Sequence, residues 1–528
     1  MAVRVKIWAC ALLLASPCAN ASTVTFHGGA GHVGGSCATV ADGNFRMLVD
    51  CGAAYSDDSP DRGDPRRACG FAFDPRAYGD LLLTHAHQDH AGRVPELFAN
   101  GFTGTVWVTP PTRALVEVAW RSQVIYDKCS VRDWRWTRDG RKQGVRVHWR
   151  ADCEWSRKIS PAHLGTLHGV FGELKGCLGA TAFASSYPVA CSTCQELELK
   201  ELMGHVKAVP FGEPFACGPF KVTFSPTKHL PGAAAVRIEK GESSCLFSGD
   251  LGTLRSHLVK EIPPARKADV VFVESTYGDT THGTREEIDQ DYARFRRVVG
   301  ETVKAGGVAW VPAFALDRSQ RVLLGIQRGI EEGAIPADAP IHYTSPSSRQ
   351  FMELYVANPG WFDGIPMAPL GTLFSRTRKT FNPKSRRKGG AILMTTSGMM
   401  DTGNSLRFAP DLLPQASTTV CLVGYQAPGT TGAQLKDMLE GRSEKKSVIV
   451  QDGKTKREIP VAAKVQVFHC FSGHGDAAEN DAWLANNRDS RIYLVHGDEK
   501  SLRARAEGLR TRFGGAIEVA APDSPCEF

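Results

Sequence analysis

Hydrophobic and polar positions alternate along some stretches of the chain and follow helical spacing along others, and the switch between the two periods divides it. Alternating runs at 23–26, 45–49 and 78–84, with glycine pairs Gly28-Gly29 and Gly34-Gly35 between them, predict antiparallel strands joined by tight turns. The pattern returns at 220–224, 233–238 and 245–247, predicting the strands of a second sheet. A fully apolar strand at 270–273 ends in Glu274. Helical spacing at 284–303, an apolar strand at 308–312 and helical spacing at 319–331 follow, and the alternation continues to about residue 442, which argues for an α/β lobe with a parallel sheet. Short strands return at 464–468 and 492–495 around a helical stretch at 477–487.

One stretch, from about 129 to 217, fits neither period. It holds Trp134, Trp136 and Trp149, several charges, and Cys129, Cys153, Cys177, Cys191, Cys194 and Cys217, so we expect an insertion that folds on its own disulfide staples. A small structural zinc site using Cys191-x-x-Cys194 is the other reading.

At 528 residues the chain exceeds one ordinary core, and its 42% hydrophobic and 23% charged content is that of a globular protein, so two lobes are expected. Arg4 and Lys6 precede an apolar run at 7–15, and Ala19-Asn20-Ala21 stand before Ser22. That reads as a secretory signal at 1–21, its apolar run too short to span a bilayer, and predicts an exported protein, periplasmic or secreted, with no stable membrane insertion. A buried N-terminal helix is the blander alternative. Loss of Arg4 and Lys6 would lower the net charge from +7 to +5, compatible with polyanions but not diagnostic. Loss of Cys10 and Cys18 would leave 13 of 15 cysteines, an odd number, so at least one is free, ligated or paired between chains, and a homodimer stays open.

The densest chemistry follows the strand at 78–84. His85, His87, Asp89 and His90 put three imidazoles and a carboxylate into six residues, a pattern suited to two divalent metal ions rather than a merely polar loop. Two adjacent metals can generate hydroxide at neutral pH and clamp the attacking and leaving oxygens of a phosphodiester. Such a centre needs further ligands, and His229, Asp250 and His496 each stand at a turn or strand end. Singly, each would more often be a hydrogen-bonded turn residue; together they complete a site.

His85, His87, Asp89, His90, His229 and Asp250 resemble the successive motifs of the metallo-β-lactamase fold. Residues 273–278 (Val-Glu-Ser-Thr-Tyr-Gly), 471–474 (Phe-Ser-Gly-His) and 494–497 (Leu-Val-His-Gly) resemble motifs A, B and C of the β-CASP nucleases, with supporting matches at 312–315, 396–399 and 423–430. The resemblance covers nearly all of the chain beyond the signal. It implies an α/β fold, a metallo-β-lactamase αβ/βα sandwich with an inserted α/β β-CASP domain. The first part of the sandwich would span 22–278, with the Cys-rich insertion at about 129–217, the β-CASP domain 279–443, and the second part 444–528.

Carried over by residue, the resemblance implies that His85, His87 and His229 hold one Zn2+ and Asp89, His90 and His496 a second, with Asp250 bridging; the same ligands also serve Mn2+. Asp89, Glu274 and His474 are the implied catalytic residues: a metal-bridged hydroxide attacks phosphorus, His474 protonates the leaving oxygen, and Glu274 orients a histidine, expected to be His496. Asp50 is a further supporting candidate, with a plain turn role equally open. Ser397, Gly398, Gly424 and Thr430 fall in loops that contact substrate phosphate in the family. His469 is expected to be a core or surface residue, and His282 and His342 to have no metal role.

The resemblance also bears on substrate. Arg376, Arg378, Lys379, Lys384, Arg386, Arg387 and Lys388 lie within 13 residues of the lobe expected to cap the metals, so they are candidates to track phosphates, with Phe374 and Phe381 to stack on bases. His at motif C and Glu at motif A favour RNA, cleaved internally or from an end. Three features depart from the family: the export signal, the length of the Cys-bearing insertion, and Asp317, where a small residue is usual. The alternatives are an exported metallo-hydrolase acting on DNA or on small phosphodiester or carbonyl substrates, and a nucleic-acid-binding protein with a vestigial metal site.

Overall fold

The computed structural model describes residues 21–54, 71–121, 130–138, 141–149, 199–254, 256, 258, 261–278, 280–384, 389–452 and 455–528. Two seven-stranded sheets pack face to face, and a third sheet of five strands forms a separate lobe. The first sheet runs in the order Cys526–Glu527, Thr23–Gly28, Cys37–Asp42, Phe45–Val49, Asp80–Leu82, Thr105–Val108, Val206–Ala208. The second runs Ile517–Val519, Arg491–Val495, Val270–Glu274, Ser243–Phe247, Ala234–Lys240, Phe220–Pro226, Pro214–Cys217.

The period-two pattern of these strands sorts their side chains between layers. Val24, Phe26, Val40, Met47 and Val49 meet Val222, Phe224, Val236, Phe247, Val270 and Phe272 in the space between the sheets. Leu48, Leu81, Leu83, Val106 and Val108 point the other way, onto Leu115, Val116 and Trp120 of the helix Pro110–Arg121. Val271, Val273, Ile492 and Leu494 are covered by Leu502, Ala506 and Leu509 of the helix Glu499–Arg510. Val270–Glu274 is apolar throughout because both its faces are covered. This is the expected αβ/βα sandwich.

The third sheet is parallel, in the order Ile341–Tyr343, Ala391–Thr395, Val308–Pro312, Thr418–Leu422, Lys464–Val467. Helices Arg285–Lys304, Arg318–Glu331 and Pro346–Ala357 cover one face, through Phe295, Val322 and Phe351. Gly403–Leu412 and Thr431–Leu439 cover the other, through Phe408 and Leu435.

Two boundaries differ from expectation. The inserted lobe does not end at 443: Val448, Val450 and Ile459 of the hairpin Ser447–Asp452 and Thr455–Pro460 pack into its core, and Lys464–Val467 is its fifth strand. The apolar residues of this segment have their partners on that sheet, so the chain returns to the sandwich only near Phe471. The Cys-bearing insertion, in turn, does not reach 217. Val206–Ala208 and Pro214–Cys217 are edge strands of the two main sheets, and Cys217 is a buried free thiol with Sγ 3.4 Å from Sδ of Met47. Cys217 is therefore part of the sandwich core and no staple; all seven described cysteines are free thiols. Cys129, Cys153, Cys177, Cys191 and Cys194 lie outside the described residues. Among the described residues no helix is long and apolar enough to cross a membrane.

Candidate metal centre

Every expected ligand stands where a strand of the sandwich ends. The strand Asp80–Leu82 delivers His85 and His87, and the short helix Gln88–Ala91 turns Asp89 and His90 back into the same space. His229 sits in the turn between Phe220–Pro226 and Ala234–Lys240, Asp250 follows Ser243–Phe247, and His496 follows Arg491–Val495. His496 takes a left-handed φ of 51°, and its N–H donates to the carbonyl of Gly29. Gly249 is required before Asp250: its φ is +54°, and a Cβ there would come within 2.8 Å of Thr84 and 2.9 Å of the Ala234 carbonyl.

Ligand atoms from these residues form two groups, His85, His87, His229, Asp250 and Asp89, His90, Asp250, His496, each with its atoms within 4.8 Å of one another. Asp250 belongs to both. Its Oδ2 lies 3.5 Å from Nε2 of His85 and 3.6 Å from Nε2 of His229, and its Oδ1 lies 3.2 Å from Nε2 of His90 and 3.5 Å from Nδ1 of His496. The carboxylate is fully buried, yet among the described residues neither oxygen has a hydrogen-bond partner, and Nε2 of His85 and Oδ1 of Asp89 are likewise unsatisfied. Orphaned buried polar atoms cost free energy unless something pairs them. Imidazole and carboxylate atoms orphaned toward a common centre are what a divalent cation satisfies, so the residues fit a metal site.

The electrostatics agree. Burial, reinforced by neighbouring imidazoles, holds His85 and His229 well below the ordinary histidine value and lowers His87 too, leaving neutral rings able to donate a lone pair. Burial works against the Asp250 carboxylate, but the charges of His90, His496, His474 and His85 outweigh it and hold that group well below the usual range. His90 goes the other way: burial opposes its charge, but Asp250 and Asp50 raise it. A cation at this position has to displace that proton.

Support for the ligands comes from Asp50, also at a left-handed φ of 60°. Its Oδ2 lies 2.7 Å from Nδ1 of His90 and accepts from the Thr84 hydroxyl at 2.8 Å, while Oδ1 accepts from the Thr84 N–H. Nδ1 of His229 faces the Gly473 carbonyl at 2.8 Å. Each contact turns an Nε2 inward, as outer partners of metal-bound histidines do.

Glu274 is placed differently from expectation. Its Oε1 lies 3.3 Å from Nδ1 of His474, while Nδ1 of His496 faces the Thr276 hydroxyl at 3.1 Å. The N–H groups of Leu251 and Thr276 donate to the Glu274 carboxylate and aim it along the strand axis at motif B. His474 stacks obliquely on His229 at 4.5 Å between ring centroids, keeps an 18% exposed side chain, and has Nδ1 3.8 Å from Asp250. Burial opposes its charge, but Glu274 and Asp250 raise its affinity for a proton above the ordinary value. His469 is exposed and its N–H donates to Asp291, away from the centre.

The second lobe meets this centre at the C-terminal ends of its strands, where open parallel sheets usually bind ligands. Gly398 and Gly424 stand against Phe314, with room for a Cβ only at 3.0–3.1 Å. Ser397 bonds Asp401, and the Thr430 hydroxyl is spent capping the helix Thr431–Leu439, accepting from Ala433 N–H and donating to the Ala427 carbonyl, so neither hydroxyl points to a waiting phosphate. Arg376, Arg378 and Lys379 lie elsewhere. Arg378 is bonded through its backbone to Ile341 and Tyr343, beside Pro340 and Gly390, where the strands begin. Sequence order put them in the right lobe but not at which end of its sheet.

One contact was missed altogether. Asp317, at φ 67° in a region strained for any residue but glycine, bonds Arg321 one helical turn on and accepts from the Tyr355 hydroxyl at 3.1 Å. Arg321 also bonds Ser256 and donates from Nη2 to the main-chain carbonyl of His229 at 2.9 Å. The i, i+4 spacing of an acid and a base was the only signal for this link. The remaining cluster, His282, Asp476 and Glu479, is a capping arrangement: Asp476 accepts from the N–H groups of Ala478, Glu479 and His282, and Glu479 from Thr253, Leu254 and Asp476.

Residues 319–435 match the Beta-Casp domain, and residues 458–522 match the Zn-dependent metallo-hydrolase RNA specificity domain. The chain is 27% identical to Ribonuclease TTHA0252 of Thermus thermophilus, over 93% of this chain and 97% of that protein. It is 26% identical to Transcription termination factor FttA of Methanocaldococcus jannaschii, over 93% of this chain and 69% of that protein. It is 25% identical to RNase aCSPSF2 of Saccharolobus solfataricus, over 63% of each.

Proposed function

We propose that this chain, which belongs to the β-CASP family of metal-dependent hydrolases on the metallo-β-lactamase fold, is a ribonuclease that holds two zinc ions and cleaves phosphodiester bonds in RNA. The observation that carries the reading is the Asp250 carboxylate, buried, without hydrogen bonds among the described residues, and shared by two groups of candidate ligand atoms.

His85, His87 and His229 would hold one ion, Asp89, His90 and His496 the other, with Asp250 between them. When bound, the ions supply a water of lowered pKa and positive charge to offset that developing on the phosphoryl oxygens. The attacking water, its proton released to solvent, would form the bond to phosphorus as the bond to the leaving oxygen breaks. His474 gives its proton to that oxygen from Nε2, since Nδ1 is engaged by Glu274, and Glu274 holds the ring in place and favours its protonated form. Asp50 and the Gly473 carbonyl keep His90 and His229 in register. The main-chain groups of the loops around Gly398 and Gly424 would receive the substrate phosphate, with both glycines allowing the loops to pack closely on Phe314.

Likeness to proteins named ribonuclease supports RNA as the substrate. The signal-like pattern at 1–21 supports work outside the cytoplasm, on RNA met in the periplasm or surroundings. The test is the metal content of the purified protein together with cleavage of 5′- and 3′-labelled RNA by wild type and His474→Ala. The reading expects bound zinc, cleavage by wild type, and a large loss in the variant; undiminished cleavage by the variant would remove His474 as the acid.

A further inference from the structure

The turn that carries His229 is gripped from the inserted lobe. Its own backbone bonds, from the Thr227 N–H to the Ala233 carbonyl and from the Ala233 N–H to the Leu230 carbonyl, do not involve His229. The His229 carbonyl instead accepts from Nη2 of Arg321 at 2.9 Å, and Nζ of the preceding Lys228 lies 2.5 Å from Oδ1 of Asp363. Both partners belong to the inserted lobe: Arg321 is on the helix Arg318–Glu331, and Asp363 follows the short turn Pro359–Trp361. On the sandwich side the fit is close, since a Cβ on Gly252 would come within 2.4 Å of the Lys228 carbonyl oxygen.

The guanidinium of Arg321 joins the two lobes with all three of its nitrogens. Nε bonds Asp317 at the start of its own helix, and Nη1 bonds Ser256 of the sandwich, beside the contact to His229. Asp317 accepts in turn from the Tyr355 hydroxyl at 3.1 Å, and the charged side chains of Asp317 and Arg321 are both buried. A planar fork held at one nitrogen by a fixed carboxylate has its other two directions set, so Asp317 aims Arg321 at the His229 backbone. The other ligands have different supports. His85, His90 and His496 face Thr84, Asp50 and Thr276, all in the sandwich. His229 has a sandwich contact too, from Nδ1 to the Gly473 carbonyl, but its main chain is tied to the inserted lobe.

We infer that Arg321, aimed by Asp317 and assisted by the Lys228–Asp363 pair, is a positioning residue for His229, so that the ion held by His85, His87 and His229 depends on the seat of the inserted lobe and the ion held by Asp89, His90 and His496 does not. This role rests on the two-metal reading of the centre. It gives the inserted lobe a task beside receiving substrate: it completes one of the two metal sites.

The test uses the full chain, stripped with a chelator and titrated with zinc against a metal indicator. The variant is Asp317→Asn/Arg321→Met, which removes the fork without stranding a buried charge, with its fold checked by circular dichroism and by denaturant unfolding of the metal-free form. Wild type should take up two ions. In the variant one ion should bind about 10–100-fold more weakly, the range for lost outer support of a ligating histidine, and the other as in wild type. His229→Ala should weaken one ion by itself, and adding the two changes to it should weaken that ion no further, as expected when both act through one side chain. A merely structural role would lower both affinities or add to the His229 effect. Where the double variant does not fold, Lys228→Ala, a change at a partly exposed ion pair, is read in the same way. Two ions bound as tightly as in wild type by the folded variant, equal weakening of both, or a further loss on top of His229→Ala would overturn the proposal. A wild type that binds two ions and leaves RNA intact would count against the ribonuclease reading alone; a wild type that binds fewer than two would remove the two-metal centre and this role with it.

Discussion

Oε1 of Glu274 stands 3.3 Å from Nδ1 of His474, and both side chains lie at the edge of a cluster of metal-ligand atoms. Motif A thereby supports His474, the proposed proton donor, and not His496. If His474 carries the proton, His474→Ala lowers kcat by about 10²–10⁴-fold, within the range of general acid catalysis. Glu274→Gln lowers it less, because the amide keeps a hydrogen bond but loses the charge. Neither variant changes metal content. Steady-state kinetics beside elemental analysis checks this, and loss of metal in the His474 variant would move that residue into the ligand set.

Asp250 is the ligand whose loss should be felt in both halves of the centre. Asp250→Asn keeps the shape and removes the charge that faces His85, His90, His229 and His496. The variant should bind less than half the metal of wild type, and chelation should lower the melting temperature of wild type but hardly that of the variant, since a ligand stabilises only the state it binds. Equal metal content in the two proteins would contradict a bridging role.

Asp50 acts through His90. Replacing it with alanine frees the ring to turn and should weaken metal binding by about 10–100-fold, the usual range for outer partners of ligating histidines. A competition titration with a zinc indicator gives the number; unchanged affinity would reduce Asp50 to a strand-end turn residue.

The link from Arg321 to the His229 carbonyl joins the inserted lobe to a ligand loop. Arg321→Met leaves the buried Asp317 carboxylate without its counter-charge, with only the Tyr355 hydroxyl still donating to it, which should cost about 3–5 kcal/mol in denaturant unfolding. Changing Asp317→Asn at the same time should recover much of that loss, because the stranded charge is gone. Additive effects of the two changes would mean that the pair is not coupled.

Much of the candidate site was legible in the sequence because its candidate ligands are polar residues set at the ends of apolar strands, and a strand end fixes direction. His85 to His90, His229, Asp250 and His496 needed no knowledge of which strands pair. The rest depended on pairing. Glu274 could not be matched to His474 over His496 from order alone, since the choice is made by where Leu251 and Thr276 aim the carboxylate. The Arg376–Lys379 run could be assigned to a lobe, but which end of the sheet it occupies follows from its bonds to Ile341 and Tyr343. The end of the lobe was misplaced at 443 because the hairpin at 447–460 alternates as a sandwich strand would, and only its contacts reveal its owner. Thr430 carried a readable warning: threonine directly before a helix is a preferred cap, and its hydroxyl is used that way.

The proposed ribonuclease depends on a carboxylate-bridged pair of metal ions. The most direct measurement is cleavage of end-labelled single-stranded RNA by the purified full chain, stripped with a chelator and titrated back with zinc, with bound metal counted at each step. The account predicts no cleavage when stripped, activity that returns in step with metal up to two ions per chain, and none at any zinc level in Asp250→Asn. A chain that holds two zinc ions and leaves RNA intact, or that cuts RNA equally well without metal, would contradict it.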